Sequence, residues 1–148
     1  MSFTPPSEII VRADYTLSSN PNNKRLKQHM AANGEMLVSK QELHIYNFLL
    51  EQQGLHVEYE AAFSGEDKTL YPDFTILNVN TKAIYIWEHL GMTNSEKYLD
   101  QIPDKLVWYE DNGLKPVEKG GSLILTFYNE RTFYKDVEKV VKRIFDDC

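Results

Sequence analysis

Residues 71–91 read YPDFTILNVNTKAIYIWEHLG, and this segment carries the main evidence for the fold. It overlaps two segments rich in β-branched and aromatic residues, 69–77 and 82–89, which are joined by Asn-Val-Asn-Thr, a composition typical of a β-hairpin. Asp73 lies in the first segment and Glu88 in the second, although strand interiors disfavour acidic residues. These two carboxylates are therefore candidates for a chemical function.

The hairpin predicts how far apart the two carboxylates lie. With a two-residue turn at 79–80 or at 80–81, Asp73 and Glu88 fall on the same face, diagonal in the first register and directly opposed in the second. Their Cβ atoms would be about 7–8 Å or about 4.5–5.5 Å apart. Carboxylates this close repel each other unless a cation bridges them, and hard oxygen ligands select Mg²⁺ or Mn²⁺. The alternative is two solvated carboxylates near strand ends.

The segments around the hairpin complete an α/β pattern. They are, in chain order, a helix that starts after Ser39 and stops before Gly54, a strand over 56–63, a helix over 95–111 with Pro103 in the first turn of its regular part, a strand over 122–128, and a closing amphipathic helix. The order α-β-β-β-α-β-α predicts a central mixed sheet flanked by helices on both sides.

The chain of 148 residues predicts one domain over 36–148, preceded by an N-terminal extension over 1–35 with a short helix over 24–32. The single cysteine, Cys148, excludes an internal disulfide and a structural thiolate zinc site. No apolar run is long enough to span a bilayer, and no signal peptide pattern is present. We therefore expect an intracellular protein without a membrane partner.

The net charge of −6 argues at first against a nucleic-acid partner. The deficit is concentrated in residues 34–111, which hold five basic and fourteen acidic residues. Because this segment contains the candidate metal ligands, bound divalent cations would oppose part of its negative charge. In the N-terminal extension, Lys24, Arg25 and Lys27 are the best candidates for contacts with a DNA backbone.

Four motifs resemble the PD-(D/E)xK nuclease superfamily, and most closely the nuclease-like domain often attached to superfamily 1 DNA helicases. They are Ser39-Lys40-Gln41-Glu42, Tyr71-Pro72-Asp73-Phe74, Trp87-Glu88-His89-Leu90-Gly91-Met92 and Lys105-Leu106-Val107-Trp108-Tyr109. The resemblance covers about residues 36–128 and implies a restriction-endonuclease-like core of order α-β-β-β-α-β. Hydrophobic periodicity gives the same order independently.

The resemblance implies a metal site for Mg²⁺ or Mn²⁺. Asp73 and Glu88 would be its carboxylate ligands, and the backbone carbonyl of His89 would be a further ligand. Glu42 would be the helix glutamate that touches the metal directly or through water. Ser39 and Glu42 also have the spacing of a capping box, in which Glu42 would bind the start of the helix instead.

The chain departs from the superfamily pattern at one position, because the lysine expected two residues after Glu88 is Leu90. Lys105 is the predicted replacement, placed to orient the attacking water or to stabilise charge on the phosphate. Gln101 and Tyr109 are predicted to line the site or contact substrate, with a core role as the alternative for Tyr109. The His89 side chain is predicted to be a hydrogen-bonded structural group, with proton transfer as the alternative.

These observations predict a metal-dependent nuclease that hydrolyses DNA phosphodiester bonds. A catalytically inactive nuclease-like module that docks DNA or a partner protein is the alternative, because of Leu90 and the acidic balance. An RNA nuclease would share the same chemistry. A helicase domain or other partner protein is the expected protein partner.

Overall fold

The structure is a computed structural model that describes residues 27–91 and 100–146. Its elements are, in chain order, β1 (His29–Met30), β2 (Met36–Leu37), α1 (Lys40–Leu50), β3 (Leu55–Tyr59), β4 (Phe63–Ser64), β5 (Thr69–Leu70), β6 (Phe74–Asn78), β7 (Ile84–Leu90), α2 (Ile102–Asp111), a 3₁₀ turn (Val117–Lys119), β8 (Leu123–Phe127) and α3 (Phe133–Asp146). None of the helices within these ranges is long and apolar enough to cross a membrane.

Over residues 27–91 and 100–146 the central sheet has four strands in the order β3-β6-β7-β8. The first three strands form an antiparallel meander, and β8 runs parallel to β7 after the chain has passed through α2. The sheet is therefore mixed, and the predicted α/β class with a mixed central sheet is confirmed. Two small antiparallel hairpins, β1–β2 and β4–β5, stand outside this sheet.

Helices cover both faces of the sheet because successive strand residues point to opposite sides. Trp87 belongs to the large core cluster that includes Ile45 of α1 and Val141 of α3. Its neighbour Ile86 belongs to a smaller cluster with Tyr109 of α2. Both faces of β7 are thus covered, and all seven of its residues are buried.

The hairpin adopts the second of the two predicted registers, in which Phe74 pairs with Trp87. Asp73 therefore lies opposite Glu88, one position beyond the Phe74–Trp87 pair. The connection is longer than the predicted two-residue turn, since residues 79–82 lie outside the pairing. The buried side chain of Asn78 holds this loop, because its Oδ1 accepts hydrogen bonds from the backbone N–H groups of Asn80 and Thr81.

Three element predictions are wrong. The strand predicted over 56–63 ends at Tyr59, because Glu60 adopts a positive φ of 53°, and Phe63 belongs to the separate strand β4. The predicted strand 69–77 is divided at residues 71–73, because Pro72 has no N–H to donate to a strand ladder, and its first part pairs with β4. The predicted helix 24–32 fails in its described part, where β1 pairs with β2. The helix predicted over 95–111 is described only from residue 100 onward. In this part α2 is present, with Pro103 in its first turn as expected.

Candidate active site

The two predicted carboxylates meet where β6 begins and β7 ends. Glu88 is only 4% exposed, and its Oε1 accepts a hydrogen bond from the backbone N–H of Asp73 at 3.3 Å. The Asp73 carboxylate in turn accepts the backbone N–H of His89 through Oδ2 at 2.7 Å. Each acidic residue is thus tied to the other strand, which holds both carboxylates at one end of the sheet.

Helix α2 brings a cation and a phenol to Glu88. Lys105 Nζ lies 2.7 Å from Glu88 Oε2, and the Tyr109 hydroxyl donates to the same oxygen at 3.0 Å. Both side chains reach the strand because positions four apart share one face of a helix. Lys105 keeps 41% of its side chain exposed, so its ammonium group is open to both the site and solvent.

Helix α1 brings Glu42 to the same place. The Glu42 carboxylate accepts a hydrogen bond from the buried Tyr59 hydroxyl at 2.6 Å, and it is near enough to Asp73 for its negative charge to raise the pKa of that residue. Its own backbone N–H donates to Ser39 Oγ, which caps the helix. Ser39 therefore caps the helix through its own side chain, whereas the Glu42 side chain is directed to Tyr59 and the carboxylate cluster and not back to the helix start.

The cluster of Glu42, Asp73 and Glu88 is electrostatically strained. Burial raises the pKa of Asp73 well above its usual range, and the negative charges of Glu88 and Glu42 raise it further, whereas Lys105 opposes the shift. Burial is also the largest cause of the raised pKa of Glu42. If all three carboxylates are ionised, Lys105 leaves the cluster with a net charge of −2. A shared proton or an added cation relieves this charge.

The donor chemistry of this cluster fits a hard divalent cation, since it offers carboxylate oxygens whose charge one such ion would balance. Because the N–H and C=O of one strand residue point to the same side, the His89 carbonyl also faces the side of β6 on which Asp73 lies. Within the described ranges, no group of three or more His, Cys, Asp or Glu side chains has a metal-holding arrangement. An ion would have to replace the Lys105–Glu88 contact or separate Glu42 from Asp73.

The His89 side chain lies on the opposite face of β7 from Glu88. Its Nε2 is 2.7 Å from Gln41 Oε1, and its Nδ1 is 2.8 Å from Thr126 Oγ1, which also accepts the Trp87 indole N–H at 2.9 Å. One neutral tautomer satisfies this chain, with Nε2–H donating to Gln41 and Nδ1 accepting from Thr126. Burial lowers the His89 pKa to about 4, in accord with the neutral form. The side chain is placed as the predicted structural group.

Gly91 makes room for this arrangement. A Cβ atom at this position would lie 2.9 Å from Gln41 Oε1, closer than real Cβ contacts allow. Since Gln41 and Glu42 are consecutive, the Gln41–His89 contact also sets where helix α1 places Glu42 relative to β7.

The remaining predicted site residues are dispersed. Gln101 is exposed beside Lys105 on the wall of a groove, and the buried Leu90 contributes to the same groove. Lys27 forms a buried ion pair with Glu60 at 2.6 Å, so we withdraw it as a DNA-backbone contact. Lys24 and Arg25 lie outside the described residues.

Three residues of the site escape a reading of the sequence. Tyr59 is at the end of a strand, Gln41 is in the first turn of a helix, and Thr126 is in an edge strand. Their local sequence patterns do not distinguish them from packing or surface residues. The only signal is that a buried Tyr hydroxyl needs a partner. Their contacts with Glu42 and His89 depend on how the elements pack.

Comparisons of the chain with protein-family models, with curated proteins and with solved structures gave no match.

Proposed function

We propose that this chain is a metal-dependent nuclease of the PD-(D/E)xK type, which hydrolyses DNA phosphodiester bonds with Mg²⁺ or Mn²⁺. The observation that carries the proposal is the meeting of Glu42, Asp73, Glu88 and Lys105, which come from separate parts of the chain, at one end of the central sheet. The element order α1-β3-β6-β7-α2-β8 supports a restriction-endonuclease-like core.

The chemistry follows from these side chains. Asp73, Glu88, Glu42 and the His89 carbonyl would hold the metal ion, which when bound polarises the scissile phosphate and lowers the pKa of a coordinated water. The Tyr59 hydroxyl orients Glu42, and the Tyr109 hydroxyl orients Glu88. Such fixed hydrogen bonds keep the carboxylates in place before substrate arrives.

Lys105 takes the role that the missing strand lysine has in the superfamily. Its ammonium group contacts Glu88 from helix α2 and remains partly exposed. From this position it can donate to a phosphate oxygen and stabilise the charge that develops there in the transition state. The cation thus reaches the reacting centre from a different element.

The decisive experiment compares cleavage of single-stranded DNA, double-stranded DNA and RNA with Mn²⁺ by the wild type, Asp73→Asn and Glu88→Gln. We expect DNA cleavage to fall at least about 100-fold in both variants, because each loses a charged group of the site. Glu110→Gln is the matched control, since Glu110 is exposed on the same helix as Lys105 and pairs only loosely with Lys119 at 3.6 Å. Unchanged cleavage in both site variants would overturn the proposal.

A second candidate function is a nuclease-like module that docks DNA or a partner protein without cutting. The observation that favours it is Leu90, a buried apolar residue at the position of the superfamily lysine. Calorimetry separates the two: a nuclease site binds Mn²⁺ and loses that binding in Asp73→Asn, whereas a docking module is indifferent to the substitution. A basic partner, such as a helicase domain, would supply cations that this acidic chain lacks.

A further inference from the structure

A groove of about 280 Å³ opens beside Lys105. Among the residues that the structure describes, its less exposed part is formed by three aliphatic side chains from three elements: Leu70 of β5, Leu90 of β7 and Ile102 of α2. Its rim is formed by Lys105 and by three exposed polar side chains, those of Lys68, Gln101 and Asp104. The groove therefore combines an apolar floor with a polar edge that carries cations, the composition of a small-molecule pocket.

The outer wall of the groove is held in place before any ligand binds. The β4–β5 hairpin is attached to helix α2 by a hydrogen bond from Trp108 Nε1 to Asp67 Oδ1 at 2.7 Å and by another from the Glu66 N–H to Asn112 Oδ1 at 3.1 Å. Gly65 lets the two elements approach, because a Cβ there would collide with the Trp108 ring. A preformed wall reduces the entropy lost on binding.

The groove is continuous with the carboxylate cluster through two residues. Lys105 lines the groove and also contacts Glu88, so a group seated there lies next to the proposed reacting phosphate. Leu90 follows Glu88 on the same face of β7. At the position where the superfamily has a lysine, this chain thus has an apolar side chain that forms the groove floor, while the cation comes from helix α2.

We propose that this groove binds one unpaired nucleobase adjacent to the scissile phosphate, so that the substrate is single-stranded nucleic acid. This inference rests on the proposed nuclease function. The aliphatic floor matches the apolar face of a base, the Gln101 amide can hydrogen-bond a base edge, and Lys68 can meet the neighbouring phosphate. A paired base would first have to leave its stack at a cost in free energy.

The test of this substrate class uses the wild-type protein and Mn²⁺. We expect single-stranded DNA to be cleaved at least about tenfold faster than a duplex of the same sequence. In a series of single-stranded oligonucleotides with one abasic site each, one position next to the cut should lower cleavage about tenfold, and distant positions should not matter. Equal cleavage of the duplex, or insensitivity to every abasic position, would overturn the inference.

A binding measurement separates failure of the groove from failure of the nuclease. Fluorescence anisotropy with Ca²⁺ compares an intact single-stranded oligonucleotide with its abasic counterpart on the wild type, Ile102→Asp and Lys68→Gln. We expect the wild type to prefer the intact strand, Ile102→Asp to lose that preference, and Lys68→Gln to weaken both strands. The matched control Val107→Asp lies at an exposed position of the same helix and should behave as the wild type.

Absence of cleavage on every nucleic acid overturns the nuclease proposal, yet the anisotropy result still decides the groove. Preference for the intact strand on the wild type supports the base site, and equal affinity for the two strands overturns it. Because this comparison needs no substituted protein, it does not depend on whether Ile102→Asp folds.

Discussion

Glu88 and His89 are consecutive residues of the same buried strand, yet they lie in opposite electrostatic environments. Glu88 lies beside Asp73, whose pKa is strongly raised because burial and the negative charges of Glu88 and Glu42 disfavour its ionisation. His89 faces Gln41 and Thr126, which satisfy both ring nitrogens in the neutral form. On one face of β7 burial and like charges disfavour ionisation, and on the other face the polar side chains form a network with satisfied hydrogen bonds.

The satisfied His89 face of β7 positions the charged Glu88 face. The backbone N–H of His89 holds the Asp73 carboxylate, and the ring of His89 is held by the helix that carries Glu42. We call the side of β7 that carries Glu88 the strained face and the side that carries His89 the network face. Substitutions on the strained face should therefore lower the cleavage rate. Substitutions on the network face should first lower the free energy of unfolding and then weaken metal binding, because they shift the carboxylates.

The largest expected effect is on the strained face. Lys105→Met should lower Mn²⁺-dependent cleavage about 100-fold or more, because the site loses the cation beside Glu88, and Lys105→Arg should restore part of the rate. Steady-state cleavage of a labelled oligonucleotide measures this. Lys119→Met, which removes an exposed lysine, is the control. A Lys105→Met enzyme as fast as the control would show that α2 supplies no catalytic cation.

The second largest expected effect comes from removing a hydrogen bond on the His89 side of β7. Thr126→Val keeps the shape of the side chain but removes the hydroxyl that joins Trp87 to His89, which should lower the free energy of unfolding by about 1–3 kcal/mol. Thr126→Ser keeps the hydroxyl and should lose much less. Urea unfolding followed by Trp fluorescence gives the stability, and calorimetry should show weaker Mn²⁺ binding for Thr126→Val. Equal stability of the two variants would contradict the network.

The two faces should also respond to pH with opposite sign when EDTA removes divalent ions. The pKa of Asp73 is raised in the folded state, so the folded protein holds more protons than the unfolded chain, and stability falls as pH rises upward from the ordinary Asp pKa of about 3.9. His89 has a folded pKa of about 4, against about 6.5 unfolded, so its contribution to stability is lost as pH falls from about 6.5 to 4.

The substitution Asp73→Asn separates the pH dependence of stability due to Asp73 from that due to His89. The variant should be more stable than the wild type by about 0.5–2 kcal/mol at pH 8 without metal, and this gain should vanish towards pH 4, leaving only the loss due to His89. Thermal unfolding across this pH range measures the difference. A gain that does not depend on pH would mean that Asp73 is not the source of the strain.

The smallest effect concerns the junction between the faces. Gly91→Ala should cost about 0.5–1.5 kcal/mol, because the added Cβ displaces Gln41 from His89. In the Gln41→Ala background the same substitution should cost almost nothing, since the displaced group is absent. Chemical unfolding of the four proteins in this cycle measures the coupling, and additive costs would contradict it.

Some elements of the fold could be predicted from the sequence, and others could not. Period-two alternation and turn chemistry predicted the β6–β7 hairpin and placed Asp73 and Glu88 on the same face, because those relations are local, but they left two registers open. Ser39 and Pro103 correctly marked the starts of α1 and α2. The strand predicted over 69–77 failed at Pro72, where a missing N–H outweighed the β propensity of its neighbours.

The sequence alone was enough to predict the mixed α/β class, the position of Asp73 and Glu88 on one face of a hairpin, and the departure at Leu90, because these depend on residues near one another in the chain. It left two hairpin registers open, and the structure shows the one that opposes Asp73 to Glu88. The packing of the elements was needed to show that Lys105 reaches Glu88 and that Tyr59 holds Glu42. It was also needed to show that Gln41 and Thr126 enclose His89 and that Lys27 is buried against Glu60. Such contacts join elements far apart in sequence, and the packing of helices on the sheet sets their geometry. Periodicity shows which face of an element is buried, but not which side chains meet there.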